Sequence, residues 1–167
     1  MPDLKPGLNP LFLREDELRQ GIEMLFYAYR NFTAEADAIL AEHGFGRAHH
    51  RVIYFVGRHP SISVSALLSI LRITKQSLSR VLGQLVRRGF ITQRTGADDR
   101  RQRLLTLTPK GAELEARLTE RQRALFARAY GMAGAEAVLG FRKVMQGLIN
   151  TEDLARVDMP KRAARRG

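Results

Sequence analysis

The sequence predicts a mainly α-helical fold that carries one small β-hairpin, and three observations predict it. Apolar residues recur at three- and four-residue spacing over most of the chain. That period changes once, to two β-rich runs between residues 90 and 108, and turn formers separate the segments. With 167 residues, 44% hydrophobic and 27% charged, the chain has the length of one domain and the composition of a globular protein. Residues 1–167 therefore read as a single domain.

Between Phe12 and His43, the residues Leu18, Ile22, Leu25, Phe32, Ala36 and Ile39 lay one stripe on a long amphipathic helix that Gly44 and Gly46 stop. A second helix is predicted over 47–58, with Val52, Tyr54, Phe55 and Val56 apolar and Pro60 closing it. Ser61-Ile62 is long enough only for a bridging strand. Ser63 then N-caps a helix whose inner positions are Ala66, Leu67, Ile70 and Leu71. Thr74 N-caps the next, with Leu78, Val81, Leu82, Leu85 and Val86 on its apolar face. Only Arg72 and Ile73 separate these two helices, so they must cross steeply, as in a helix-turn-helix. Residues 90–94 and 103–108 are strand-like runs around a Gly- and Asp-bearing turn at 95–99, which makes a hairpin. Thr108 as N-cap and Pro109 at the first helical position start a helix carrying Leu114, Leu118, Leu125 and Phe126, which breaks near Gly131 to Gly134. A last helix carries Ala135, Val138, Leu139, Phe141, Val144, Met145, Leu148 and Ile149. Residues 47–108 thus form a winged helix-turn-helix lobe, 11–43 and 109–150 flank it as helices, and 151–167 is a basic tail.

The charge is not spread evenly. Lys and Arg number 28 against 17 Asp and Glu, a net +11, the footprint of a protein with a polyanionic partner. Residues 72–103 hold nine basic side chains against Asp98 and Asp99, and residues 156–167 hold five against Asp158, while the rest of the chain is close to neutral. The tail, rich in Gly, Pro and Ala, reads as a disordered, solvated charge run. The 72–103 cluster reads as a binding face.

In the helix after Thr74, the positions left over from the core are Lys75, Gln76, Ser77, Ser79, Arg80, Gln84 and Arg87, with no acidic residue among them. Gln pairs bidentately with adenine, Arg with guanine, and Ser with a base edge or a phosphate, so Thr74, Lys75, Gln76, Ser77, Ser79, Arg80 and Gln84 are candidates for contacting double-stranded DNA in the major groove. Arg94 on the first hairpin strand joins them. At the hairpin tip, Arg100 and Arg101 are placed to lie in the minor groove, with Asp99 expected to orient the Arg101 guanidinium. Gly83, which costs about 1 kcal/mol relative to Ala, either admits a close backbone approach or is merely tolerated.

Several chemistries are excluded or set aside. Cysteine is absent, so disulfides, thiolate nucleophiles and cysteine-ligated metals are ruled out. No P-loop, dinucleotide fingerprint, His-Glu-x-x-His or calcium loop occurs, so neither an enzyme nor a cofactor is expected. His49 and His50 are neighbours on a helix and diverge by about 100°, which favours structural roles over metal ligation. No apolar run of signal-peptide or membrane-spanning type is present, and we expect a cytoplasmic protein without membrane contact. Asn31-Phe32-Thr33 is then a chance sequon.

Four stretches resemble the multiple antibiotic resistance regulator (MarR) family of bacterial transcription factors. They are Gly46-Arg47-Ala48-His49-His50-Arg51-Val52, Ile73-Thr74-Lys75-Gln76-Ser77-Leu78, Asp99-Arg100-Arg101 and Leu107-Thr108-Pro109-Lys110-Gly111. The order of elements matches from roughly residue 11 to 150. The resemblance implies an obligate homodimer, held by the terminal helices, on a pseudo-palindromic operator. Leu11, Phe12, Leu13, Leu139, Phe141, Leu148 and Ile149 support the dimer independently, since a small winged module cannot cover so much apolar surface. Two departures matter: the Asp-Pro common at the start of the wing loop is here Gly96-Ala97, and the cysteines of the oxidant-sensing branch are missing. Many members bind small aromatic or phenolic effectors in a cleft between dimerisation helices and winged lobe. Here helices one, two and five would line it, with Tyr27, Arg30, His50 and Tyr54 as anchors. The expected function is a sequence-specific, homodimeric transcriptional repressor. An architectural protein that coats DNA by charge alone is the alternative.

Overall fold

A computed structural model describes residues 10–157. A 3-10 turn, Leu11–Leu13, precedes helix α1, Glu15–Ala41. The helix starts three residues later than the apolar stripe predicts because Arg14 is extended. Glu15, Asp16 and Glu17 then fill the first turn, where the helix dipole favours acids. Helix α2, Arg47–Arg58, follows, then strand β1, Ile62–Ser63, helix α3, Val64–Leu71, and helix α4, Lys75–Arg87. Strands β2, Ile91–Thr95, and β3, Arg103–Leu107, form the hairpin. Helices α5, Pro109–Ala133, and α6, Ala135–Leu148, are followed by a single turn, α7, Thr151–Leu154. The mainly α fold with its small β wing is as the sequence predicts.

Three predicted caps are in place, each giving a side-chain acceptor to an otherwise unpaired first-turn amide. Ser63 Oγ accepts from Ala66 N at 3.1 Å, Thr74 Oγ1 from Ser77 N at 3.1 Å, and Thr108 Oγ1 from Gly111 N at 3.0 Å. The sheet is antiparallel in the order β1-β3-β2, so the bridging strand closes on the far hairpin strand. Ile62 lies opposite Leu105, and Ile91 opposite Leu107.

The core sits where the C-terminal half of α1, α2, α3, α4, the sheet and the start of α5 converge. Ala36, Leu40, Val52, Ile53, Leu67, Leu78, Leu85, Phe90, Ile91, Leu105 and Leu118 are buried there. Ala66 is exposed, contrary to its predicted inward position, because the adjacent Leu67 takes the core side and consecutive helical residues diverge by about 100°. The stripe of α1 splits: Ala36 and Ile39 are buried, whereas Leu18, Ile22 and Leu25 lie bare. Helix α6 buries none of its residues. The stretch 151–167, read as a basic tail, opens with an ordered turn, where Asn150 N-caps α7 by accepting from Asp153 N at 2.8 Å. The basic residues Lys161, Arg162, Arg165 and Arg166 lie outside the described residues. Among the described residues no helix is long and apolar enough to cross a membrane.

Candidate nucleic-acid interface

Helix α4 is held by its apolar face, with Leu78, Val81, Leu82 and Leu85 buried, and this turns Lys75, Gln76, Ser77, Ser79 and Arg80 outward. The cap orders the hydroxyls at its start. Thr74 Oγ1 accepts from Ser77 N and donates to Ser77 Oγ at 2.8 Å, which leaves the Ser77 hydroxyl proton for an outside acceptor. Gln84 is different. It is half-buried, and its Oε1 accepts from His49 Nε2, whose ring stacks on Phe45 with centroids 4.6 Å apart. The other ring nitrogen, Nδ1, accepts from Gly46 N at 3.1 Å, which fixes the tautomer and makes His49 a structural tie between α2 and α4.

The nine cations of residues 72–103 sort into engaged and unengaged groups. Arg72 pairs with Glu152 and Asp153. Arg88 lies over the Phe45 ring at 4.5 Å and donates to the His43 carbonyl, Arg87 folds back over Gly83, and Arg94 Nη2 donates to Ser61 Oγ at 3.1 Å. Lys75, Arg80, Arg100, Arg101 and Arg103 are exposed, and no ion pair among the described residues reaches them. These five leave a cationic surface formed by α4 and the wing. Gly83 makes room for the Arg87 guanidinium, since a Cβ there would stand 3.0 Å from Arg87 Nη1.

The wing loop is closed by two backbone bonds, Gly96 N to Gln102 O at 2.9 Å and Gln102 N to Asp99 O at 3.1 Å. Gly96, which departs from the resembling pattern, is buried, and a Cβ there would meet Asp99 O at 2.7 Å. Asp99 does not orient the Arg101 guanidinium as expected. Its Oδ1 accepts instead from the Arg101 backbone N at 2.9 Å, because a carboxylate two residues upstream reaches the amide of the tight turn before the far end of a long side chain. Asp99 shapes the loop and leaves the guanidinium to the solvent.

A cavity of about 550 Å3 opens between α1, α2 and α5, within the size range of small-ligand sites. Phe32, Phe55 and Phe126 give it aromatic walls, and Tyr29, Arg47, His50, Arg51, Tyr54 and Arg123 give it polar ones. His50 and Tyr54 are thus on the lining, whereas Tyr27 and Arg30 are not. Those two pair with each other on another face of α1, the Arg30 guanidinium 4.8 Å from the Tyr27 ring centre. Tyr29, Phe32 and Thr33 form the cavity side of α1, and Tyr27 points about 200° away from Tyr29. Sequence reading missed Tyr29, Arg47 and Arg51. Arg47 is committed to Asp37 at 3.1 Å and Thr33 at 3.2 Å, while the Arg51 guanidinium donates to the neutral Tyr29 hydroxyl at 3.2 Å. Burial lowers the pKa of His50 from its ordinary value, against the opposing pull of Asp37 and Glu115.

The family model described as the MarR family matches residues 43–102. The HTH-type transcriptional regulator PetP of Rhodobacter capsulatus is 50% identical over 144 residues, which cover 86% of this chain and 87% of that one. Streptococcus pneumoniae FabT, solved in complex with DNA, matches with a TM-score of 0.71 at 20% identity, over 78% of this chain and 94% of FabT. Staphylococcus aureus MarR, solved in complex with salicylate and kanamycin, matches with a TM-score of 0.67 at 20% identity, over 80% of this chain and 91% of the other. The two solved structures share the fold. The extent and identity of the match to PetP go further: this chain belongs to the MarR family of transcriptional regulators.

Proposed function

We propose that the chain is a sequence-specific DNA-binding transcriptional repressor that acts as a homodimer on a pseudo-palindromic operator. The observation that carries this reading is the outer face of α4, where Lys75, Gln76, Ser77, Ser79 and Arg80 stand exposed without an acidic neighbour on the helix. Two copies of α4 would occupy successive major grooves, with Arg100 and Arg101 in the flanking minor grooves. Residues 47–108 act as the DNA lobe, and 11–43 and 109–150 as the dimerisation helices. The dimer is supported by apolar side chains that face solvent in one copy, among them Phe12, Ile22 and Phe26 near the N-terminus and Val144 and Leu148 near the C-terminus.

The effector is a small aromatic acid. Phe32, Phe55 and Phe126 offer ring faces, and Arg51, which donates to the Tyr29 hydroxyl and has no carboxylate partner among the described residues, offers a bidentate anchor for a carboxylate. Such a ligand releases DNA by binding more tightly to the spacing of the lobes that does not fit the operator.

Selection of bound fragments from random DNA, followed by footprinting of the enriched site, tests the reading. Arg80→Ala should then weaken binding and relax one position of the site by about 1–3 kcal/mol. Equal loss on scrambled DNA, or a specificity ratio near one that responds only to salt, would favour charge-driven coating instead.

A further inference from the structure

Residues 150–156 turn back onto the helix-turn-helix. Asn150 Nδ2 donates to Asp153 Oδ2 at 2.7 Å, which orients that carboxylate at the start of α7. Arg72 Nη2 donates to Glu152 Oε2 at 3.2 Å and lies 3.6 Å from Asp153 Oδ2. Arg156 Nη2 donates to Glu152 Oε1 at 3.1 Å and to Ser69 Oγ, on α3, at 2.8 Å. Two guanidinium groups and two carboxylates therefore link the end of the C-terminal arm to α3 and to the turn before α4, across 80 residues of sequence.

The place they hold is conformationally demanding. Arg72 caps the end of α3 in the left-handed region, at φ +50, and is one of two non-glycine residues with positive φ among those described. Thr74, the cap that starts α4, lies two residues further on. A left-handed backbone at a residue with a long side chain persists where the surroundings fix it, and the Arg72 side chain is what α7 grips.

We propose that Glu152, Asp153 and Arg156 are positioning residues for DNA recognition: α7 is a strap that fixes the 72–73 turn and, through it, the direction in which α4 leaves α3. This rests on the reading of α4 as the DNA-contacting helix. The strap acts on sequence discrimination rather than on gross affinity, since discrimination needs the side chains of α4 held in register with base edges. Removing carboxylates near a DNA-binding face raises affinity for any polyanion, so the diagnostic quantity is the ratio of specific to nonspecific binding, in which that gain cancels.

The test compares the full chain with Glu152→Gln/Asp153→Asn and with a charge-matched control, Glu113→Gln/Glu136→Gln, at exposed positions. In the free protein, hydrogen exchange should speed up at the amides of Arg72, Ser77 and Leu78, which are bonded to Leu68 O, Thr74 Oγ1 and Thr74 O, in the strap variant alone. The specificity ratio for the selected operator should fall about fivefold in that variant, the combined size of the four exposed ion pairs it removes, and should hold in the control. Unchanged exchange at these amides, or equal ratios in the two variants, overturns the proposal. Faster exchange in a protein whose unmodified form prefers no DNA sequence upholds the strap and overturns the DNA reading of α4.

Discussion

Two glycines, Gly111 in α5 and Gly83 in α4, show how one missing methyl group serves different ends. A Cβ on Gly111 would lie 2.0 Å from the Phe90 carbonyl oxygen, so the first turn of α5 is pressed against the end of the loop that leads into β2. The same carbonyl accepts from Thr108 N at 3.0 Å, and Thr108 Oγ1 donates to Gly89 O at 2.6 Å. Gly111→Ala must push apart a backbone junction and should cost about 3 kcal/mol, read from urea denaturation. At Gly83 the obstacle is the tip of a flexible side chain, Arg87, which can swing away. Gly83→Ala should therefore stabilise the fold by about 1 kcal/mol through helix propensity; a loss there would mean that Arg87 is held in place. His50 sets a pH dependence of a definite sign. Its folded pKa lies below its ordinary value of 6.5, so the unfolded chain binds the proton more readily. That contribution to stability is complete above pH 6.5 and is lost as pH falls through the lower folded value. His50→Gln should flatten the fall of Tm in this acid range, and an unchanged slope would assign it to other groups.

Among the elements, the wing is the one whose contribution separates most cleanly. Its loop is closed through Gly96, Asp99 and Gln102 backbone groups, so the Arg100 and Arg101 side chains can be cut back without opening it. Arg100→Ala/Arg101→Ala should lower the dependence of log K on log salt by about two contacts' worth, with the fold intact by circular dichroism. An unchanged slope would place both guanidinium groups away from phosphate. The elements themselves were legible because their signals are local: Ser63, Thr74 and Thr108 each act on an amide three residues away, and a change of period marks the hairpin. What was not legible depends on partners distant in sequence. Nothing near Arg72 announces Glu152, nothing near Gln84 announces His49, and the cavity face of α1 runs through Tyr29 rather than Tyr27 because α2 and α5 decide which side is inward. Likewise, the five unengaged cations became distinguishable from the engaged ones only once the chain had folded.

At the scale of the whole molecule, apolar exposure is concentrated on the N-terminal part of α1 and on α6, with Ile22 70% and Leu148 65% exposed. In the proposed homodimer these faces would cover one another. Ile22→Asp should thus leave the secondary structure intact while shifting sedimentation from a two-chain to a one-chain species and removing the dependence of Tm on protein concentration. A variant that still sediments as a pair would move the contact elsewhere. The junction at Gly134, φ +84, ends α5 and begins α6 in a single residue, and α6 leans back on α5 through Phe141 against Phe126 and Tyr130. A helix so thinly anchored frays first when its companion departs, and frayed chain is what proteases cut. In the proposed homodimer an unmated copy would therefore turn over faster than a mated one, which would tie the lifetime of the protein to its own abundance.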